Sequence, residues 1–226
     1  VFDILFRLLR LIYNKKSIVY VRNITDVDDK IINRSANENK SVNEITSETI
    51  KWFNEDNDYL NIIKPTHEPK ATEYISQMIS MIDKLVSKNN AYILDDGEVL
   101  FSVNSFDNYG SLSRQNLNSM NVGNRVEIDK RKKNPLDFVL WKPTDKNNIG
   151  WNSPWGYGRP GWHIECSAMC NELLGGSFDI HGGGIDLLFP HHENELAQSI
   201  CANDTKQLAN YWVHNGFVNI EGQKMS

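Results

Sequence analysis

The chain is short of most features that would place it quickly. Of its 226 residues only three are cysteine, without regular spacing, which argues against a disulfide framework and fits a reducing compartment. No apolar run is long enough to cross a membrane. The opening stretch is broken by Asp3, Arg7 and Arg10 and lacks a small-residue cleavage site, so no signal peptide is expected and the cytoplasm is the expected setting. A basic excess is missing too: the net charge is −5, so any contact with nucleic acid must rest on local patches. Internal repeats and low-complexity tracts are absent, and no Ser-His-Asp or Cys-His nucleophile arrangement is offered. What remains, 40% hydrophobic and 23% charged, is ordinary globular composition, enough for one core or a core with an inserted subdomain.

The most informative segment is His181-Gly-Gly-Gly184-Ile-Asp186-Leu-Leu-Phe-Pro190-His191-His192-Glu193-Asn-Glu195. It follows the apolar run Phe178-Asp-Ile180, the expected end of a buried strand. Gly182, Gly183 and Gly184 predict a turn with φ > 0 where backbone approaches a ligand, and Pro190 predicts the first turn of a helix. His191 and Glu195 then fall on one helical face, four residues apart. On their own they also fit a capping histidine and a solvated glutamate. Cys166, in Gly161-Trp162-His-Ile-Glu-Cys166-Ser-Ala-Met169, adds a thiolate, and the mixed sulfur, nitrogen and oxygen set suits zinc. A glycine-rich turn at a strand's carboxyl end beside such a set is the layout of a nucleotide site joined to a metal site. Cys170 and Cys201 read as small core residues.

Around this motif the chain opens with an amphipathic helix on Phe2, Leu5, Phe6, Leu9 and Ile12, followed by a β-branched strand over 17–21. Helices are expected near 42–53 and 71–88, then 162–174. From about Ala91 the texture shifts to short β runs, 98–103 and 138–141 among them, and a last strand is expected at 211–214. The expected organisation is a nucleotide-binding fold in two halves, 1–90 and 156–226, around an insertion at 91–155. Lys130-Arg-Lys-Lys133 is a basic run that reads as a solvated loop or as a phosphate contact.

The segments around Cys166 and 178–195, with Tyr20-Val-Arg-Asn-Ile-Thr25-Asp-Val-Asp-Asp-Lys30 and Arg159-Pro-Gly161, resemble those of cysteinyl-tRNA synthetases, class I enzymes, over essentially the whole chain. Lys224-Met-Ser226 resembles the opening of the Lys-Met-Ser-Lys-Ser loop. The resemblance implies an α/β fold with a doubly wound parallel (Rossmann-like) sheet split by the connecting insertion. It also implies that a His-Ile-Gly-His signature and a first zinc cysteine precede Val1 and that Lys-Ser follows Ser226. The chain by itself is then expected to be inactive.

By the same resemblance the activity is ATP-dependent activation of L-cysteine, with Mg, and transfer of the cysteinyl group to the 3′ end of tRNA(Cys), aided by one zinc ion on Cys166, His191 and Glu195. Thr25, Trp162 and His181 would meet the amino acid. Gly182, Gly183, Gly184, Asp186 and the backbone at Val218 would hold ATP. Lys224 and His181 would stabilise the reacting phosphates. His192 and Glu193 would orient the metal ligands from behind. Rival readings are a ligase passing cysteine to an amino-sugar, a non-catalytic zinc and nucleotide-binding module acting as a sensor, and, last, a zinc hydrolase. No membrane partner is expected.

Overall fold

The computed structural model describes residues 1–114 and 129–225, less the side chain of Lys224. The chain divides into two compact units, Val1–Tyr74 and Ile75–Ser226.

In the first unit α1 (Phe2–Ile12) buries only Phe6, leaving Ile4, Leu8 and Leu11 exposed. α2 (Asp29–Glu38) starts where the Asp28 carboxylate accepts the Ile31 N–H at 2.7 Å. α3 (Val42–Tyr59) starts at a capping box formed by Ser41 and Glu44. The strand expected at 17–21 does not form a ladder. Residues 15–17 make a 3₁₀ turn, and pairing reduces to two parallel bridges, Val21 with His67 and Ile24 with Lys70. The reason lies in the facing segment: Pro65 and Pro69 carry no N–H, so a continuous ladder cannot be completed there.

The second unit begins with α4 (Ile75–Ser87), preceded in the chain by a 3₁₀ turn, Ala71–Tyr74. Of the apolar positions expected to share one face of α4, Ile75, Met78 and Ile82 are buried while Ile79 and Val86 are only partly so, and Leu85 joins the buried set. Five strands follow: β1 (Ala91–Ile93), β2 (Val99–Phe101), β3 (Phe138–Pro143), β4 (Trp151–Ser153) and β5 (Gly156–Pro160). They form one sheet in the order β1-β2-β3-β5-β4, antiparallel throughout. Leu100, Phe101, Leu140 and Trp141 are all fully buried, and because neighbours along a strand alternate, both faces of the sheet are covered there.

α5 (Trp162–Leu174) packs against α4 and against α6 (Glu193–Asn203). β6 (Phe178–Gly184) and β7 (Ala209–Asn215) pair in parallel, with α6 as the crossover between them. A short hairpin of β8 (Asn219–Ile220) and β9 (Gln223–Lys224) follows.

The α/β class therefore holds, but the largest sheet among the described residues is antiparallel and not the parallel, doubly wound sheet expected. Connection length explains this. Parallel neighbours need a crossover of a dozen or more residues, and the links β1–β2 and β4–β5 are tight turns that close only hairpins.

Candidate functional site

The site lies in the second unit, where α5, the carboxyl half of β6 and the start of α6 meet. α5 begins at Gly161, where a Cβ would run into the carbonyl oxygen of Val139 on β3, so only glycine lets the helix start this close to the sheet. That start sets Cys166 one turn along α5. From the other side, α6 begins at Glu193, three residues later than Pro190 had suggested. Residues 188–192 form an irregular turn, because Phe189 takes extended angles (φ −138°, ψ 134°). His191 nevertheless keeps its relation to Glu195: its Nε2 lies 2.9 Å from Glu195 Oε1.

Cys166, His191 and Glu195 come together, each offering a donor atom within 4.8 Å of the other two. His191 and Glu195 are buried, at 4% and 1% exposure. A buried carboxylate facing two imidazoles and a thiol is the chemistry of a soft divalent metal site, and zinc takes this donor set. Burial pushes the Cys166 thiol up, and the Glu195 charge adds to it. Burial also opposes the charge on Glu195, but His181 and His191 outweigh it and hold the carboxyl below the usual carboxylate range.

His163 was not foreseen. Its Nδ1 lies 2.9 Å from His191 Nδ1. Burial, with His191 nearby, depresses its pKa to about 3, so the ring is neutral. A neutral His163 can accept the Nδ1 hydrogen of His191, the arrangement that frees the His191 Nε2 lone pair once a metal replaces its contact with Glu195. Gln198 fixes this partner in turn, donating to the His163 carbonyl at 3.1 Å and to Ser167 Oγ at 3.0 Å.

His181 and Cys170 also differ from their sequence reading. The His181 Nε2 faces Glu195 Oε2 at 3.3 Å. Burial opposes its charge, but Glu195, followed by Cys170, raises its pKa. Cys170 is not simple packing: it forms a second group with His181 and Glu195, again with donor atoms within 4.8 Å. The missed signal was its spacing of four from Cys166, the same spacing that singled out His191 and Glu195.

Gly182, Gly183 and Gly184 are not a turn. They continue β6, paired with Val213, His214 and Asn215, and none has a positive φ. Close approach calls for glycine at Gly183, where a Cβ would lie 2.9 Å from both His192 and Leu187; at Gly184 a Cβ would meet only the tip of the exposed Asp186 side chain, which can swing away. Gly183→Ala is accordingly expected to cost about 1–3 kcal/mol of stability through overpacking, read as a lower urea midpoint with unchanged slope. An unchanged midpoint would show that His192 yields freely.

Asp186 is exposed in the short helical turn Ile185–Leu187 that follows. Trp162 is 47% exposed and its ring lies tilted, 4.3 Å from the His191 ring, so it covers the donor cluster from the surface and is not a core side chain. His192 Nδ1 lies 2.8 Å from His214 Nε2 at the end of β7, and burial depresses the His192 pKa to about 3. Glu193 does not serve the donor cluster: fully buried, it accepts the N–H groups of Gly110 (2.9 Å) and Ser113 (2.8 Å). Val218 is exposed and its carbonyl already accepts the Met225 N–H at 2.9 Å. Lys224 sits on β9, and its side chain lies outside the described residues, as does Ser226.

Thr25 belongs to the first unit. It lines a cavity of about 440 Å³ with Asn23, Asp26, Lys30, Arg34 and Phe53. In the basic run, Arg131 is committed to Asp96, Glu98 and Asp129, and Lys133 lies over the Tyr92 ring at 4.3 Å. Those two cations are held within the protein, which weakens the phosphate-contact reading. No helix among the described residues is long and apolar enough to cross a membrane.

Comparison with known proteins adds the following. The family described as "tRNA synthetases class I (C) catalytic domain" matches residues 1–226. A cysteine–tRNA ligase from a Ruegeria species is 58% identical over 227 residues, covering 100% of this chain and 50% of that protein. The cysteine–tRNA ligase of Pelagibacter ubique is 54% identical over 226 residues, covering 100% of this chain and 50% of its own length. That of Rhodospirillum rubrum is 55% identical, with 100% and 49% covered. The chain thus spans about half the length of these relatives.

Proposed function

The chain belongs to the class I (C) tRNA synthetase catalytic domain family, and on that footing we propose that it is the catalytic portion of a cysteine–tRNA ligase. The reaction is activation of L-cysteine by ATP and Mg to cysteinyl-adenylate, followed by transfer to the 3′ end of tRNA(Cys). The observation that carries the reading is the gathering of Cys166, His191 and Glu195 beside the half-exposed Trp162 ring.

In this proposal Cys166, His191 and Glu195 hold one zinc ion, which when bound supplies a thiophilic position and lowers a substrate thiol's pKa. The remaining work belongs to positioning. His163 keeps His191 in the ligating tautomer, and Trp162 walls the amino acid beside the donor cluster; Thr25, in the first unit, carries a hydroxyl suited to hydrogen-bond a small polar substrate. With Nε2 turned to Glu195, His181 has only its other ring edge for substrate or phosphate. Gly182, Gly183 and Gly184 let adenosine lie against strand backbone, Asp186 accepts from the ribose hydroxyls, and the backbone near Val218 meets the adenine. Lys224 contributes positive charge at the phosphates. The reaction needs no protein nucleophile, because in-line placement and phosphate stabilisation lower the barrier.

The finer architecture is part of the same proposal. The parallel β6–β7 pair, with its candidate ligands at the carboxyl edge, supports a doubly wound nucleotide-binding fold. Residues 1–90 and 156–226 are its halves and 91–155 the connecting insertion. The cytoplasmic setting belongs here too. The amino-sugar ligase, the sensor module and the hydrolase gain no support from the relatives.

The test is cysteine-dependent exchange of labelled pyrophosphate into ATP by the complete protein, followed by charging of tRNA(Cys). Both are expected. No exchange with cysteine would overturn the proposal, and exchange without charging would move it to another acceptor.

A further inference from the structure

Glu195 has two carboxylate oxygens, and Oε1 is the one that faces His191, at 2.9 Å from its Nε2. The other, Oε2, faces His181 Nε2 at 3.3 Å. Both atoms are buried, and neither has any other hydrogen-bond partner among the described residues. That separation is long for a charge-assisted N–H···O⁻ bond, which runs about 2.7–2.9 Å. It is close to the edge of a metal tetrahedron: two ligands each about 2.0–2.1 Å from a common zinc at tetrahedral angles lie about 3.4 Å apart. Cys170 completes the set: its sulfur, a ring nitrogen of His181 and a carboxylate oxygen of Glu195 all lie within 4.8 Å of one another.

The placement has a simple origin. Cys166 and Cys170 are one turn apart on α5, so their thiols rise from the same face. His191, at the entry to α6, meets the first thiol's group, and His181, midway along β6, meets the second. Glu195 stands between, with one oxygen toward each histidine.

We propose that Cys170, His181 and Glu195 Oε2 form a second position for a thiophilic divalent cation such as Zn²⁺, adjoining the first, with Glu195 bridging the two. Uptake displaces the Cys170 thiol proton, and the ion binds the sulfur, the imidazole nitrogen and the carboxylate oxygen. This goes beyond the proposed activity, which needs one ion. It also carries a consequence for that activity: an ion in the second position holds His181 by Nε2 and leaves only the Nδ1 edge of the ring toward substrate.

The experiment is equilibrium dialysis of the complete protein against excess Zn²⁺, and separately Cd²⁺, with bound metal counted by elemental analysis. Wild type is expected to hold two equivalents, Cys170→Ser and Cys170→Ala one, and Cys166→Ser to lose the ion of the first position. A single equivalent in wild type at saturation overturns the second position, as does retention of two equivalents by both Cys170 variants. The wild-type count stands whether or not a variant folds. The two metal readings fail separately: one equivalent that vanishes in Cys166→Ser leaves the first position intact and removes only the second.

Discussion

Replacing Cys166 by serine, or His191 by alanine, is expected to strip zinc from the complete protein and to lower cysteine activation by on the order of 10²-fold or more, with ATP binding changed little. Even partners that merely orient metal ligands typically cost 10–100-fold in affinity or activity, and in the proposed site these residues are the ligands themselves. Serine keeps the size of Cys166 but replaces a soft sulfur by a hard hydroxyl that zinc does not deprotonate readily. Alanine at 191 leaves Glu195 Oε1 without its 2.9 Å partner and His163 Nδ1 without its 2.9 Å partner. Metal content by elemental analysis and kcat/KM for cysteine, set against KM for ATP in pyrophosphate exchange, make the measurement. Equal losses toward both substrates, or full zinc content in both variants, would contradict the metal assignment.

The same residues set the sign of a pH dependence. Burial, aided by Glu195, holds the Cys166 thiol above its ordinary range, so the metal-free protein carries this thiol protonated near neutral pH. Binding must displace that proton, so zinc affinity is expected to rise with pH, by up to about tenfold per unit while the thiol remains protonated. Cys166→Ser removes the displaced proton and should flatten the slope.

The donor group was legible in the sequence because its chemistry is local. His191 and Glu195 are separated by one helical turn, and residues 162–174 carry their own helix signals, so Cys166 lands on a face that spacing alone defines. The sheet was not legible in that way. Nothing in the short β runs of 91–160 says which strand pairs with which; the tight turns between them decide for hairpins, and the parallel expectation came from the family as a whole. Gly182, Gly183 and Gly184 were misread for a similar reason. Three glycines suggest a turn, yet the need at Gly183 comes from His192 and Leu187, which press on the strand from the following turn. His163 escaped notice because its partner, His191, is 28 residues away and arrives only when the two helices pack. Cys170 is the instructive miss: its spacing from Cys166 was visible, but only the fold brings His181 and the second oxygen of Glu195 to meet it.

The largest expected effect concerns the choice of amino acid. Cysteine and serine differ only in sulfur for oxygen, and a pocket relying on shape or one hydrogen bond separates such near-isosteres by only about 10²-fold. Raising that to about 10⁵ needs three further decades, roughly 4 kcal/mol. The Cys166, His191 and Glu195 group is suited to supply it. A soft metal on these ligands favours a substrate thiolate over a hydroxyl, and it lowers the thiol's pKa so that the anion forms near neutral pH. A serine hydroxyl is far harder to ionise and gains much less. The half-exposed Trp162 ring lies against His191 and links the buried donor group to the surface. Cobalt replacing zinc in the complete protein turns the idea into an optical measurement. Saturating cysteine is expected to shift and strengthen the thiolate charge-transfer band, serine to leave it unchanged, and the kcat/KM ratio of cysteine to serine to exceed about 10⁴. A spectrum indifferent to cysteine would leave the metal a structural role and oblige the protein to discriminate by a shape contact and one hydrogen bond. Those two contacts fall short by the same three decades.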